Sequence, residues 1–266
     1  MSHHHLVSLP YHEKSHTIKG VFSLSGISIL LLLWHLVSNS LPNFLLPSPI
    51  STFQKTYETF FSLDFWHNAS LTLTRAFIAV CVSFLLSNLM AIACTISVNI
   101  KRSLWPLIML GLTVPSIVVA FISVVILGSR GPVGTVVPVL IIIPILFIMI
   151  YPAYENLSKE FAEVAKIFHL PKHIYIIEVV FPQLAPYLFA ALRTGISDGW
   201  KLTILAEVFT LGDGVGSRIL QYFNLFSIRD VFAWTVSFLA IMILIEYGVV
   251  QQLEKRFVRN KQVAHT

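Results

Sequence analysis

Four charged residues fall in a stretch of the chain that is otherwise apolar enough to lie in a membrane. Arg193, Asp198, Lys201 and Glu207 lie within the run from about 187 to 211. Asp198 and Lys201 are three residues apart, so they could form an ion pair on one face of a helix. Such a pair could be structural and face the interior of a helical bundle. Alternatively, Arg193 and Lys201 could attract an anion such as a sulfonate, nitrate or carboxylate.

Other motifs that could do chemistry are absent from the sequence. No GxxxxGK[ST] occurs, so the chain has no P-loop of its own for ATP, and no HExxH, CxxC or GxSxG occurs either. His169 and His173 are four residues apart, but Pro171 separates them and no third ligand is nearby. The sequence therefore predicts no catalytic site, no metal site and no cofactor bound by this chain.

The charged residues must be positioned by membrane spans. Apolar residues make up 56% of the 266 residues and charged residues only 12%, which is too little polar surface for a soluble domain of this size. Runs of about 20 apolar residues can cross a bilayer. We predict an all-α integral membrane protein with six transmembrane helices, near 22–39, 77–98, 104–127, 134–153, 187–209 and 231–250.

The distribution of basic residues predicts the orientation. If the spans alternate, the basic residues of the leader, of the turn after the second span and of the tail fall on one side. The positive-inside rule puts that side, and both termini, in the cytoplasm. We expect a flexible cytoplasmic leader at 1–19, a single transmembrane domain at 20–252 and a basic cytoplasmic tail at 253–266. This bias explains the formal net charge of +5 without a nucleic-acid partner.

A charged segment, residues 157–186, separates the fourth and fifth predicted spans. Pro171 favours two short helices here, one around 157–168 and one around 171–180. The first would carry an apolar face made of Phe161, Val164, Ala165 and Phe168. That face could pack on the protein's own bundle or form a docking surface for another subunit.

The spacing of this segment resembles the EAA loop of ABC-importer permeases. The positions that match are Glu163, Val164, Ala165, His169, Leu170, Pro171, Pro182 and Pro186. Further stretches resemble the nitrate, sulfonate and taurine permeases of that family, among them SLTLTR at 70–75, VPSIVVAFISVVILG at 114–128, ALRTGISDGW at 191–200 and AEV at 206–208. His169 replaces the family's glycine, so the chain resembles a divergent member.

The resemblance implies a fold, a role and partners. The fold would be that of a type I ABC-importer (MetI-like) permease, with a cytoplasmic coupling helix between spans 4 and 5. The chain would be the transmembrane subunit of an ATP-driven importer in the bacterial inner membrane, with no enzymatic activity of its own. It would carry a small anion such as a sulfonate, taurine or nitrate, and Glu163 would be the main polar contact with the ATPase. Its partners would be a second permease copy, two cytoplasmic P-loop ATPase subunits that bind ATP and Mg²⁺, and an extracytoplasmic solute-binding protein.

Three alternatives stay open. Similar permeases carry vitamin precursors of the pyrimidine or flavin type. A secondary transporter that needs no ATPase would have an inverted repeat or unwound helices near the midplane, and the two halves of the sequence show no convincing repeat. A membrane-embedded enzyme would need clustered polar residues at one depth, whereas the apolar runs outside the fifth span carry only isolated polar positions.

Overall fold

All regular secondary structure in the described part of the chain is helical. The computed structural model describes residues 15–42, 44–129, 132–157, 171–210 and 212–250. Its helices are α1 (Ser15–Ser40), α2 (Pro49–Phe60), α3 (Leu63–Ile96), α4 (Val98–Thr113), α5 (Ser116–Leu127), α6 (Val133–Glu155), α7 (Lys172–Val208), α8 (Val215–Asn224) and α9 (Ile228–Ile245). A π-helical turn at Glu246–Val250 continues α9. Since α1 begins at Ser15, the end of the predicted leader is helical.

Several of these helices are long and apolar enough to cross a membrane. They are α3, α6, α7 and α9 with the first residues of its π-helical turn. The pair α4 and α5 adds a fifth crossing if its two bent halves count as one span. The apolar part of α1, Ser25–Ser40, is shorter. The described residues therefore confirm an all-helical protein with four or five membrane-spanning helices, and the six-span count stays a prediction.

The predicted continuous span at 104–127 is wrong, because the chain bends by 103° between α4 and α5. Val114 has an extended backbone, with φ −69° and ψ 126°, as expected for a residue that precedes a proline. Pro115 has no N–H to continue the hydrogen bonds of α4. The apolar run thus forms two short helices rather than one long one.

The predicted gap between a short helix at 171–180 and a span at 187–209 is also wrong. Helix α7 is continuous from Lys172 to Val208. Its early part is a π-helical turn at Tyr175–Val180, and the N–H of Phe181 bonds to the carbonyl of Ile176. The wider turn ends at Val180 and the α-helical part starts at Phe181, so the missing N–H of Pro182 falls in the first turn of a helix segment and does not break α7.

The core of the bundle is built by α3, α6 and α7, which pack against one another. Val80, Leu146 and Ile150 lie at its centre. Helix α7 approaches α3 closely at Gly199, where an added Cβ would lie 2.5 Å from Cγ2 of Val80. Small residues at such crossings let the backbones of membrane helices come together. In addition, the Ser87 hydroxyl donates to the carbonyl of Ile143 at 2.9 Å and ties α3 to α6.

Two short amphipathic helices, α2 and α8, were missed by the sequence analysis. Both lie at the end of the bundle formed by the end of α7 and the starts of α3 and α9. We call this end the outer end, after the orientation that the sequence predicts. Helix α8 packs against α7 and α9, while α2 packs chiefly against α9. The outer end is therefore a layer of short helices laid on the ends of the long ones.

Candidate functional site

The charged pair Asp198–Lys201 forms, but on the surface of the chain rather than inside the bundle. Lys201 Nζ lies 3.2 Å from Asp198 Oδ1, and the two side chains are 51% and 35% exposed. Lys201 Nζ also lies 3.3 Å from Ser197 Oγ. The role of the pair, structural or part of a pathway, therefore stays a prediction, but the pair does not face the bundle interior of the single chain. The reason is that the small residues of α7 turn its opposite face towards α3 and α6.

Arg193 lies on the same side of α7. Its Nε is 3.5 Å from Oε1 of Glu246, which belongs to the π-helical turn after α9. The two side chains are 41% and 28% exposed. Arg193, Ser197, Asp198 and Lys201 together form a polar strip on α7, which we call the charged face.

The charged face must be shielded from lipid if it lies within the membrane. If the end of α7 at Val208 marks the outer edge of a hydrocarbon core about 30 Å thick, Lys201, Asp198 and Arg193 lie about 10, 15 and 22 Å below that edge. A charge at such depth costs a few kcal/mol if it meets lipid. The charged face therefore needs protein or water over it, as a translocation pathway would supply.

Glu207 has a different environment from the rest of α7. It is fully buried, and its partner is Arg75 of α3, whose Nη1 donates to Glu207 Oε1 at 2.7 Å. Arg75 also binds the loop after α7, because its Nη2 lies 2.6 Å from Asp213 Oδ1. Glu207 is thus the buried centre of an ion-pair network, and it belongs to no pair with Arg193 or Lys201.

The N-terminus of α8 completes the site around Glu207. The N–H of Gly216 donates to Glu207 Oε2 at 3.1 Å, and Thr72 Oγ1 donates to the same oxygen at 2.8 Å. Thr72 in turn accepts from the N–H of Val215 at 2.9 Å. The first N–H groups of a helix have no partner within the helix and favour a negative charge. The Glu207 carboxylate therefore caps α8 while it binds α3.

Glycines make this close contact possible. Gly214 has φ +106°, and a Cβ there would overlap the Glu207 carboxyl group. A Cβ on Gly216 would overlap the carbonyl oxygen of Ile204. On the side of α6, a Cβ on Gly134 would lie 3.2 Å from Cδ of Arg75. Glu207 was among the predicted site residues and these glycines were not, although the glycines repeated at 212, 214 and 216 were a signal for a close backbone contact.

Asp213 and Asn68 close the outer edge of the network. The hydrogen bond from Arg75 lowers the pKa of the Asp213 carboxyl, and partial burial opposes this shift. Asn68 Oδ1 accepts from the N–H of Gly214 at 2.8 Å. The network thus joins α3, α7 and α8 through charge-assisted bonds. It is a fixed structural centre, and it has no room for a ligand at Glu207, which is fully buried.

The opposite end of the bundle carries a smaller cluster that the sequence analysis also missed. Lys101 of α4 lies 2.7 Å from Oε1 of Glu155, the last residue of α6. Tyr151 donates to the same carboxylate at 2.6 Å, and Lys101 Nζ stands 4.9 Å from the centre of the Tyr151 ring. This cluster fixes the end of α6 directly before the segment predicted to couple to an ATPase.

Comparison with known proteins identifies the family. Residues 83–259 match the family described as the binding-protein-dependent transport system inner membrane component. This match spans more than half of the chain. The chain belongs to that family. The resemblance to ABC-importer permeases is thereby confirmed.

Curated relatives of this permease are similar over most of their length. The nitrate import permease protein NrtB of Synechocystis is 23% identical over 242 residues, which cover 88% of this chain and 84% of the relative. The bicarbonate transport system permease protein CmpB of Synechococcus elongatus is 26% identical over 255 residues, which cover 88% and 85%. A probable ABC transporter permease protein of Haemophilus influenzae is 22% identical over 197 residues, which cover 73% and 80%. These relatives are permease subunits.

The predicted coupling residues of the permease are only partly described. Glu163, Val164, Ala165, His169 and Leu170 lie outside the described residues, so their role stays a prediction. Pro171 immediately precedes α7, and Pro182 and Pro186 lie in its first half. Among the described residues, neither His173 nor any other His, Cys, Asp or Glu belongs to a group of three that could hold a metal ion.

Proposed function

We propose that this permease forms the translocation pathway of an ATP-driven importer for a small oxyanion of the nitrate or bicarbonate kind. The observation that carries the proposal is the charged face of α7, which presents Arg193 and Lys201 on the surface of the chain within a helix long and apolar enough to span a membrane. The names of the relatives, nitrate and bicarbonate permeases, support an oxyanion as the solute.

The chemistry of Lys201 suits the passage of an oxyanion. An ammonium group has three N–H donors. Within the described part of the chain, Ser197 and Asp198 take two of them. A planar anion could accept the third and then compete with Asp198 for the ammonium group, so binding would be reversible. A permease needs such weak, exchangeable contacts, because a solute that binds too tightly cannot leave.

A second copy of the permease would cover the charged face. One chain exposes this face at a depth where lipid is unfavourable, so an arrangement with C2 symmetry would place two charged faces around one water-filled path. We therefore propose that the permease is a homodimer. It would bring two Lys201 ammonium groups to the same pathway.

Two further partners belong to the proposal. Residues 157–186 would dock on a cytoplasmic P-loop ATPase subunit, with Glu163 as the polar contact, because their spacing matches the EAA loop of the family. A solute-binding protein would deliver the anion at the outer end. Both termini would then lie in the cytoplasm, as the basic residues predict.

Uptake by reconstituted vesicles tests the pathway. The permease is assembled with its ATPase subunits and binding protein, and uptake of nitrate, bicarbonate and taurine is measured with internal ATP. We expect Lys201→Met and the double variant Lys201→Met/Asp198→Asn to fold but to lower oxyanion uptake about tenfold or more. The matched control is Arg218→Met, since Arg218 also pairs with a carboxylate, Asp64, at 2.7 Å, but at the outer end of the bundle. A fully active double variant would remove Lys201 from the pathway.

The same vesicles test the coupling to ATP. Glu163→Lys should leave the bundle folded, detach the ATPase and abolish uptake. Uptake at the unmodified rate with this variant would exclude Glu163 as the coupling contact. Uptake that needs no ATP but follows an ion gradient would instead support the secondary transporter, and uptake of a pyrimidine or flavin precursor in place of the oxyanions would support the vitamin permease.

A further inference from the structure

Helix α2 is a short helix that lies between the longer helices α1 and α3 along the chain. It is 12 residues long, which corresponds to about 18 Å, so it is too short to cross a bilayer. It is fixed to α9 at the outer end: Lys55 Nζ lies 3.6 Å from Asp230 Oδ1, and Ser237 Oγ lies 3.4 Å from the carbonyl oxygen of Thr56. Ser48 caps its start by accepting from the N–H of Ser51. Helix α2 is therefore an ordered element with a defined orientation on the bundle.

The surface of α2 is divided into three lengthwise strips. One strip is buried against the protein and contains Pro49, Thr52 and Thr59. A second strip is exposed and apolar, and it consists of Ile50, Phe53 and Tyr57, followed by Phe61 just after the helix. The third strip is exposed and polar, and it consists of Gln54 and Glu58. At about 100° per residue, the polar strip lies directly beside the apolar one.

The apolar strip of α2 is too large and too exposed to face water favourably. Tyr57 is 69% and Phe61 is 67% exposed, and both belong to an aromatic cluster. In this cluster the ring of Phe60 lies 5.6 Å from that of Phe61 and 5.2 Å from that of Trp66. Trp66, at the start of α3, is also exposed. Contiguous exposed aromatic groups mark a surface that meets another apolar phase.

We propose that α2 lies flat in the membrane–water interface at the outer end of the bundle, with its apolar strip in the lipid. Three environments would then match the three strips: protein for the buried strip, the boundary of headgroups and acyl chains for the apolar strip, and water for the polar strip. Tyr and Trp rings prefer this boundary, since their bodies are apolar and their edges can hydrogen-bond. Phe44 and Leu45, in the connection from α1 to α2, are apolar and exposed as well.

The consequence is a lateral anchor for one side of the permease. Because α2 is bonded to α9, an α2 held in the interface would keep the outer end of α9 at a fixed depth. Helix α7, which carries the charged face, has no such short helix on its free side among the described residues. The anchor would therefore hold the α9 side of the bundle at a fixed depth in the membrane.

Site-directed spin labels measure the environment of each strip. The free cysteines Cys81 and Cys94 are first changed to serine, and single cysteines are then introduced as Phe53→Cys and Tyr57→Cys on the apolar strip and as Gln54→Cys and Glu58→Cys on the polar strip. The labelled full chain is studied in phosphatidylcholine vesicles by collision with oxygen, which concentrates in lipid, and with a water-soluble nickel chelate. The two strips serve as matched controls on the same helix.

We expect labels at 53 and 57 to collide several-fold more with oxygen than with the nickel chelate, and labels at 54 and 58 to show the reverse ratio. Nickel collision at all four positions would mean that α2 lies in water and would overturn the proposal. Immobile labels at 53 and 57 that meet neither reagent would mean that a protein covers the strip, which also overturns it. If the cysteine at 57 prevents folding, Phe61→Cys reports on the same strip. None of these results depends on transport activity.

Discussion

Replacement of Arg75 tests whether the network around Glu207 holds the outer end together. Arg75→Met removes the bond of 2.7 Å to Glu207 and the bond of 2.6 Å to Asp213. Glu207 then remains fully buried without its cation. Removal of one partner of a buried ion pair costs about 3–5 kcal/mol. For a chain near this size, that corresponds to a fall in Tm of about 6–20 °C.

A second change separates charge from packing. Gln at 207 is neutral but can still accept from the N–H of Gly216 and from Thr72, which now donate to the carboxylate at 3.1 and 2.8 Å. The double variant Arg75→Met/Glu207→Gln should therefore be more stable than Arg75→Met by about 1–3 kcal/mol, since a buried neutral amide needs no guanidinium. Thermal unfolding of the detergent-solubilised variants gives both values.

The control for this experiment is another arginine at the outer end. Arg218 binds Asp64 at 2.7 Å, but both side chains are partly exposed. Arg218→Met should cost at most about 1 kcal/mol, as exposed ion pairs do. The reasoning fails if Arg75→Met lowers Tm no more than Arg218→Met does, or if the double variant is less stable than Arg75→Met alone.

Two further outcomes follow from the packing and the charges. Gly199→Ala places a Cβ 2.5 Å from Val80 Cγ2, so this variant should have a lower Tm. Adding Val80→Ala to the same chain should restore part of the lost stability. The control is Gly26→Ala, whose Cβ would meet nothing within 4 Å. The pKa of Asp213 is lowered by Arg75, so its contribution to stability is present above the unfolded pKa of about 3.9 and is lost as the pH falls through the lower folded value. Unfolding measured from pH 6 downwards should thus show a steeper loss for the unmodified chain than for Asp213→Asn, and equal slopes would contradict the assigned cause.

The long helices could be predicted from the sequence because lipid imposes a simple rule on them. A span needs about 20 apolar residues, and long apolar runs with few charges mark the candidates for such spans. The bend at Val114 was hidden inside such a run, since hydropathy does not register backbone geometry. The short helices α2 and α8 were missed because, at 12 and 10 residues, they are too short for the length rule that identifies spans.

The candidate site was predictable only where the partners are near in sequence. Asp198 and Lys201 are one turn apart, so their contact follows from helix geometry. Glu207 and Arg75 are 132 residues apart, and no local rule connects them. What the sequence did carry was the need for a partner, because a carboxylate in a span cannot stay alone. The exposure of the charged face could not be predicted, since it depends on which side of α7 packs against α3.

The continuity of α7 has a mechanical consequence. The helix runs unbroken from the segment predicted to meet the ATPase to the Glu207 network, a length of about 55 Å. Such a rod acts as a lever: a tilt of about 10° around its inner end displaces its outer end by roughly 10 Å. Because the network clamps that end to α3 and α8, they would have to travel with the rod. A movement of α7 at the inner surface of the membrane would then move α3 and α8 at the outer surface at the same time.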